Sequence, residues 1–261
     1  MDTLDMQILP ERIHALQEIQ KDPGFFQAGQ TPGIAHLVYV TEGQLFGILN
    51  GVQIPLRSGS CMLLAPGQWH LSYADADAAP RLLTVSFTTG ASWNSAAIRS
   101  PSPTVAALLN AILEEHRQVL PHAQDMILML LGQLLISFDR EGILLPVQPM
   151  HGDKLIVCRA QKIIHSLSRQ KLNVPLAAQK TGVSPSYLTA LFHKHLHIAP
   201  GEYIRRVKLE ESKQMIRTGD LNFTQIANAL EYSTVHHFSR QFKENFGITP
   251  TQYANSVRQL P

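Results

Sequence analysis

Cysteine, charge and long apolar runs are all scarce in this chain of 261 residues. Its two cysteines, Cys61 and Cys158, cannot build a disulfide framework or a four-cysteine zinc site. Charged residues make up 16% of the chain and hydrophobic residues 44%, which excludes a disordered or collagen-like protein. The longest uncharged apolar stretch, residues 126–138, is too short to span a bilayer. The first residues show no basic segment followed by an apolar run, so we expect no signal peptide, no membrane partner and a cytoplasmic location.

The two halves of the chain carry opposite charge, although the net charge is only +2. Residues 1–150 hold seven Lys or Arg against thirteen Asp or Glu, and residues 151–261 hold fifteen against seven. The halves therefore carry −6 and +8, which predicts a basic module that meets a polyanion and an acidic module with another role. Two domains that neutralise each other across an interface would show the same asymmetry.

The acidic half starts with a strand pattern and ends with a helix pattern. Short, partly β-branched runs cover residues 34–40, 45–49, 53–56, 60–65 and 82–87, with turn dipeptides such as Asn50-Gly51 between them. This spacing predicts a small antiparallel barrel or sandwich. Apolar helical periodicity then predicts helices at 102–118 and 122–139. One face of these helices must pack on the strands, and the other face could form a dimer interface through Leu130 and Leu134, unless the helices are buried all round.

A proline-rich stretch separates the two patterns. Residues 144–152 contain Pro146 and Pro149, end in Gly152 and have no helical period, which indicates a linker. We therefore predict an α+β protein of two domains, at 1–143 and 153–261.

The basic half contains an internal repeat. A shift of about fifty residues aligns Phe192 with Phe242 and Tyr203 with Tyr253. Each copy predicts a short helix, a tight turn and a second helix, at about 174–195 and 224–245. This is helix-turn-helix geometry, in which the second helix enters the major groove of DNA.

Local signals support both helix pairs. Gly182 suits the turn because it adopts positive φ at little cost, and Ser184 followed by Pro185 is a helix start. The helix predicted at 200–217 would join the two copies and span about 27 Å at 1.5 Å per residue.

Sequence motifs in this half resemble a known family. SPSYLTALF at 184–192 resembles the first recognition helix of the AraC/XylS transcriptional regulators, and FSRQFK at 238–243 with FGITPTQY at 246–253 resembles their C-terminal signature. The resemblance covers about residues 155–258 and implies an all-α domain with two helix-turn-helix motifs that binds double-stranded DNA. Glu231 and His197 stand where the family often has Gly, and Ala254 stands where it usually has Arg.

The resemblance implies DNA contacts from the outward side chains of both second helices. The candidates for base contacts are Ser186, Thr189, Ala190, Val235, His236, Ser239 and Arg240. Arg240 is the strongest of them, because its planar fork can bridge the O6 and N7 acceptors of guanine. The candidates for phosphate contacts are His193, Lys194, Arg205, Arg206 and Lys243. Each basic residue could instead be an ordinary solvated surface charge.

The acidic half also resembles a family. GSCMLLAPGQWH at 59–70 resembles the second conserved box of cupin barrels, which form the N-terminal domain of many AraC-type regulators. Metal-dependent cupins also need an earlier histidine pair and a glutamate, and the corresponding stretch at 40–47 contains no histidine, so we expect no metal and no cofactor. The resemblance implies a small-molecule pocket with His36, Trp69, His70 and Tyr73 as candidate contacts. Trp69 and Tyr73 could instead simply close the mouth of the barrel.

The sequence therefore predicts a non-enzymatic, effector-controlled transcriptional regulator with a cupin-like N-terminal barrel, two further helices and a double helix-turn-helix. The resemblance implies a homodimer, a small-molecule effector such as a sugar, and RNA polymerase as a further partner. The alternative is a ligand-independent DNA-binding regulator whose N-terminal domain serves only dimerisation or partner contact. A cupin-type enzyme fused to DNA-binding helices is a third reading, and the missing metal ligands count against it.

Overall fold

The computed structural model describes residues 8–22, 24–29, 33–49, 52–68, 70–75, 78–118, 120–144 and 152–258. The N-terminal part of these residues is built from strands that precede two helices. The strands are β1 (Pro10–Gln20), β2 (Phe26–Gly29), β3 (Ala35–Glu42), β4 (Gln44–Leu49), β5 (Val52–Arg57), β6 (Cys61–Leu64), β7 (His70–Tyr73), β8 (Arg81–Thr89) and β9 (Ala96–Ile98). The helices are α1 (Pro103–Gln118) and α2 (Ala123–Arg140).

The strands pair into two antiparallel sheets. The five-stranded sheet has the order β1-β8-β3-β6-β9, and the four-stranded sheet has the order β2-β7-β4-β5. In the described residues the two sheets form a sandwich, and no hydrogen-bonded closure into a single barrel is present. The predicted N-terminal antiparallel domain with two helices is thus confirmed. The predicted Asn50-Gly51 turn lies outside the described residues.

Side-chain alternation gives the five-stranded sheet two different faces. On β8, Leu83, Val85 and Phe87 are fully buried in a core shared with α1 and α2. The intervening residues of β8, among them Leu82 and Thr84, face the space between the two sheets. Because successive residues of a strand point to opposite sides, one strand lines both the helix-packed core and an internal cavity.

The C-terminal part is entirely helical over the described residues. Its helices are α3 (Gly152–Ser166), α4 (Val174–Thr181), α5 (Pro185–Leu196), α6 (Pro200–Thr218), α7 (Phe223–Ala229), α8 (Val235–Phe246) and α9 (Pro250–Arg258). The predicted helix-turn-helix pairs match α4–α5 and α7–α8 within two residues, and the predicted connecting helix matches α6. The predicted all-α domain is therefore confirmed. The predicted linker lies almost entirely outside the described residues, so the domain boundaries stay predictions.

The two domains share apolar packing. Phe26, Ile48 and Leu71 on the four-stranded sheet are at most 3% exposed and belong to one cluster with the core of α3, α4 and α5. The core of α7, α8 and α9 contains only residues of the C-terminal part. The four-stranded sheet therefore supports the first helix-turn-helix directly, while the second has its own core.

Candidate DNA interface and effector cavity

The first helix-turn-helix has the predicted local geometry. Gly182 ends α4 with φ +82°, which a glycine adopts without steric cost. The Ser184 hydroxyl then accepts a hydrogen bond from the Tyr187 amide at 3.2 Å, so it caps α5 as predicted. Leu188 and Phe192 are fully buried below α5. These contacts fix which face of α5 points outward.

The outward face of α5 carries the predicted base-contact residues of this module. Ser186 and Ala190 are exposed, and His193 is exposed one turn further on. Thr189 is half-buried, and its hydroxyl donates to the Pro185 carbonyl at 2.8 Å. This face is short and nearly neutral, which suits contact with thymine methyls and groove shape more than bidentate hydrogen bonding.

The second helix-turn-helix begins with a reciprocal cap. The Asn222 side chain accepts from the Gln225 amide, and the Gln225 side chain accepts from the Asn222 amide, each at 2.9 Å. Thr234 caps α8 by accepting from the His237 amide at 3.0 Å. The capped start and the buried Phe238 below it orient α8 in the same way as α5.

The turn of the second module is built without glycine. Glu231 takes φ +58°, in the left-handed region that costs a non-glycine residue about 1 kcal/mol or more. The buried ammonium of Lys208 donates to the Leu230 carbonyl at 3.0 Å and so satisfies a helix-terminal acceptor. Burial lowers the pKa of Lys208, and the nearby Glu231 carboxylate opposes that effect. The turn therefore keeps its shape despite the unfavourable residue.

The outward face of α8 is more polar and more basic than that of α5. His236, Arg240 and Lys243 are exposed, whereas Val235 and Ser239 are half-buried. Arg240 is the most accessible predicted guanine contact, and its Nε lies 3.8 Å from Glu244 Oε1. Such an exposed pair is weak, so the guanidinium can turn towards a base.

Three of the predicted phosphate contacts are engaged in ion pairs. Lys194 Nζ lies 2.7 Å from Asp153 Oδ2, and both Arg205 and Arg206 pair with Glu202. Sequence reasoning missed the acidic partners, because all of them lie on another turn or another helix. A phosphate would therefore compete with a carboxylate at each of these three residues.

Asp153 is a second residue that the sequence did not single out. Its carboxylate also accepts from the Tyr187 hydroxyl at 2.8 Å, and these hydrogen bonds, that of Lys194 first, lower the pKa of Asp153. His195, one residue beyond Lys194, is buried with its Nε2 3.8 Å from the same carboxylate. The start of α3 is thus tied to both ends of the first recognition helix.

The cavity between the two sheets has a volume of about 200 Å³. Its polar lining residues are Lys21, Gln27, His36, His70, Ser72, Thr84 and Ser86. Ser86 Oγ lies 2.9 Å from His36 Nδ1, and apolar side chains such as Phe25 and Leu64 complete the wall. The lining residues include no carboxylate, so the cavity offers hydroxyl, imidazole and amide groups and one ammonium.

Burial keeps the cavity histidines neutral at neutral pH. It lowers the pKa of His70 to about 4, with a further lowering from the neighbouring His36, and it also lowers the pKa of His36. A neutral imidazole can donate from one nitrogen and accept at the other. Nδ1 of His36 is already engaged by Ser86 and His70 by the backbone of Gln68, so a ligand hydroxyl would have to share or replace these hydrogen bonds.

The four predicted effector contacts do not share one site. His36 and His70 both line the cavity, and their contact with an effector stays a prediction. Tyr73 instead stacks on Phe46 with ring centroids 5.2 Å apart and lines a groove against the C-terminal domain. The alternation of β7 explains this difference, because Tyr73 points away from the face that carries His70 and Ser72. Trp69 lies outside the described residues.

The charge asymmetry left a contact between the domains open as an alternative, but the sequence did not show which residues make it. Asp22, just after β1, pairs with the buried Lys213 of α6 at 2.8 Å. Phe26 packs edge-on against Tyr203 at 5.7 Å between ring centroids, and the Arg206 guanidinium lies 5.4 Å from the Phe26 ring centroid. The N-terminal domain thus contacts both halves of α6, the helix that connects the two helix-turn-helix motifs.

Within the described ranges, no cluster of three or more His, Cys, Asp or Glu side chains could hold a metal ion. In the same ranges, no helix is long and apolar enough to cross a bilayer.

Comparisons with known proteins match both parts of the chain. A model described as a helix-turn-helix domain matches residues 177–256, and one described as an AraC-like ligand binding domain matches residues 19–141. SoxS of Salmonella typhimurium is 37% identical over 88 residues, which cover 34% of this chain and 82% of SoxS. The Msm operon regulatory protein of Streptococcus mutans is 31% identical over 105 residues, 40% of this chain and 38% of that protein.

Solved structures give a weaker likeness. ToxT from Vibrio cholerae with a bound unsaturated fatty acid is 11% identical, with a TM-score of 0.49 over 94% of this chain and 96% of ToxT. The chain spans less than two fifths of the length of the Msm protein and less than a third of the regulator YkgA of Escherichia coli, at 32%. Two matched domains, a ligand-binding one before a helix-turn-helix one, define a two-domain regulator. The chain belongs to the AraC family of transcriptional regulators.

Proposed function

We propose that this chain recognises a specific double-stranded DNA sequence through α5 and α8 and regulates transcription in response to a small-molecule effector. The observation that carries the proposal is the duplicated helix-turn-helix, with both second helices capped at their starts and polar on their outward faces. The excess of positive charge in residues 151–261 favours the same partner. The proposed activity is binding rather than catalysis.

Base and phosphate contacts would follow one another along the outward face of α8. Arg240, with His236 and Ser239 beside it, would read base edges, and Lys243 one turn further on would hold a phosphate. On α5, Ser186, Thr189 and Ala190 would meet bases and His193 the backbone. This division follows from exposure and side-chain chemistry in the described helices.

Selection of DNA from a random duplex pool by the full-length protein tests the main proposal. We expect recovery of a sequence with two reading sites about one helical turn apart, since α6 spans about 28 Å. Recovery of no preferred sequence would count against specific DNA recognition.

The roles of Arg240 and Lys243 separate on the selected duplex. Arg240→Ala should cost about 1–3 kcal/mol and flatten discrimination at one base pair. Lys243→Ala should weaken binding to all sequences alike and reduce the salt slope by about one unit. Binding isotherms at several salt concentrations, on the duplex and its single-base variants, decide this. Equal losses on all sequences for Arg240→Ala would make Arg240 a backbone contact.

The inner cavity is the proposed effector site. A lining of hydroxyl, imidazole and amide groups and one ammonium offers many hydrogen bonds to a small hydroxylated molecule such as a monosaccharide, and about 200 Å³ limits its size. His36 and His70 would hydrogen-bond its hydroxyl groups.

A thermal-shift screen with monosaccharides tests the cavity. A ligand at a hundred times its dissociation constant should stabilise the protein by about 2.7 kcal/mol. The shift should disappear in Thr84→Val, which loses a hydroxyl from the cavity wall, and persist in Thr88→Val, further along β8 and outside the lining. A shift that survives Thr84→Val would place the ligand elsewhere.

A second candidate role for the N-terminal domain is dimerisation without a ligand. It is favoured by Met126 and Met129 on α2, which are 44% and 56% exposed. In this reading the partners are a second copy of the chain and RNA polymerase, and no compound would shift the melting temperature.

A further inference from the structure

The guanidinium of Arg205, a predicted phosphate contact, is held by two side chains of the protein itself. Its Nη1 donates to Gln241 Oε1 of α8 at 2.7 Å, and its Nη2 pairs with Glu202 of its own helix. The guanidinium therefore joins the connecting helix α6 to the second recognition helix. A phosphate contact would compete with both interactions, because each terminal nitrogen of the guanidinium is already engaged.

The hydrogen bonds continue along α8 beyond Gln241. Gln241 Nε2 donates to Glu244 Oε2 at 2.7 Å. The other oxygen of Glu244 lies 3.8 Å from Nε of Arg240, the candidate guanine contact. The series of side-chain contacts that starts at Arg205 thus ends at Arg240, the residue that would contact a base.

At its other end, the same series of contacts reaches the N-terminal domain. Glu202 Oε1 accepts from Arg206 Nε at 2.8 Å, and the Arg206 guanidinium lies over the ring of Phe26 on β2. Arg205, Arg206, Glu202 and Glu244 also line one groove with Tyr73 and Asp75 of the sensor. Polar side chains therefore connect the domain interface with the outward face of α8.

We propose that Arg205 is a positioning residue, which ties α8 to the connecting helix through Gln241 and so sets how Arg240 is presented to DNA. This inference rests on the proposed DNA recognition. The planar, forked guanidinium of arginine suits this position, because the side chain donates at the same time to Gln241 on α8 and to Glu202 on α6. A lysine would keep the charge and lose one of the two bonds.

The decisive comparison uses a charge-conserving variant on the duplex selected by the wild-type protein. The base pair that Arg240 reads is found as the one at which Arg240→Ala flattens discrimination. Arg205→Lys and Gln241→Leu should each lower discrimination at that same base pair by about threefold to tenfold and leave the salt slope unchanged. Because both variants break one link, the double variant should lose no more than either single one.

A matched control comes from another arginine that pairs with α6. Arg169 pairs with Glu211, away from α8, so Arg169→Lys should bind the selected duplex and its variants as the wild type does. The melting temperature of each variant checks that the fold is intact. A loss of discrimination at unchanged melting temperature separates positioning from a general loss of stability.

Two results would overturn the inference while leaving DNA recognition in place. One is a wild-type pattern for Arg205→Lys together with a uniform loss for Arg205→Ala and a salt slope reduced by about 0.9, which marks a phosphate contact. The other is additive losses in the double variant. A wild-type protein that selects no sequence would instead remove the proposed function, and this inference with it.

Discussion

At the scale of the residue, the second helix-turn-helix shows how one unfavourable position is compensated. Glu231 occupies the left-handed region at the end of α7, and Lys208 donates to the carbonyl just before it. The departure from glycine was visible in the sequence. The compensation was not, because Lys208 lies on α6 and reaches the turn only in the folded chain.

Glu231→Gly should raise the free energy of unfolding by about 1 kcal/mol, since glycine adopts positive φ without the Cβ penalty. Thermal melting of the full-length chain should show a rise of roughly 2–4 °C. Gln179→Gly serves as the control, because Gln179 is exposed within α4, where glycine should lower stability. A lower melting temperature for Glu231→Gly would mean that the carboxylate stabilises the turn by more than the backbone strain costs.

The buried cavity histidine makes stability depend on pH. The pKa of His70 falls from an unfolded value near 6.5 to about 4 in the folded chain, so the unfolded chain binds the additional proton between these values. The free energy of unfolding is therefore not reduced by His70 above pH 6.5, and it falls as the pH falls from 6.5 towards 4, because only the unfolded chain is protonated in this range. Between pH 7 and pH 5 this amounts to about 2 kcal/mol.

Urea unfolding at pH 7 and pH 5 measures this loss. His70→Gln should reduce the difference between the two pH values by about 2 kcal/mol. His165→Gln should act similarly, because burial also lowers the pKa of His165 to about 4. An unchanged difference in His70→Gln would show that the imidazole is already solvated in the folded state.

At the scale of the element, periodicity predicted the helices well and the strands only in part. The predicted helix-turn-helix elements agree with α4, α5, α7 and α8, because caps and apolar spacing mark them locally. The sequence of β1, PERIHALQEIQ, is rich in residues that favour helices, and only its pairing with β8 makes it a strand. A single sequence does not show that pairing.

The position of α2 decides between two explanations of its apolar pattern, a dimer interface through Leu130 and Leu134 or a buried helix. Leu134 is fully buried in the core of the N-terminal domain, and Leu130 packs against the same core, so burial accounts for both residues. The exposed apolar residues of α2 are Met126 and Met129 instead. The apolar pattern was interpreted correctly, but it could not show which side of the helix the sheet covers.

Met129→Lys should therefore prevent self-association through α2 and leave the melting temperature nearly unchanged. Leu134→Lys should unfold the sensor domain, because it buries a charge. Light scattering and thermal melting of both variants test this, with Gln118→Lys on α1 as an exposed control. A dimeric Met129→Lys protein would place the interface on another surface.

At the scale of the whole molecule, the N-terminal domain shares an apolar core with the first helix-turn-helix motif but not with the second. Gln27 on β2 and Phe25 just before it line the inner cavity, whereas Phe26 and Ala28 on β2 pack against the C-terminal domain. The four residues of β2 were not recognised as a strand, so neither face could be predicted. The charge asymmetry suggested either a separate DNA-binding module or a domain interface, and the structure shows that the domains are in contact.

The unequal support predicts how an isolated C-terminal domain behaves. Residues 153–261 should fold alone, since α7, α8 and α9 have a core of their own. The cluster around α3, α4 and α5 would lose Phe26, Ile48 and Leu71. Amide hydrogen exchange should therefore be faster in α3–α5 of the fragment than in the full chain, and nearly unchanged in α7–α9.

Phe26→Ala in the full chain isolates this effect from the loss of the whole domain. Removing the ring takes away the contacts with Tyr203 and Arg206 and leaves a cavity beside the first module. Exchange should accelerate in α3–α5 and at the first turns of α6, whereas α7–α9 provide the internal control. An equal increase of the exchange rate in α3–α5 and in α7–α9 would mean that the two modules unfold as one cooperative unit. The N-terminal domain would then not support the first module selectively.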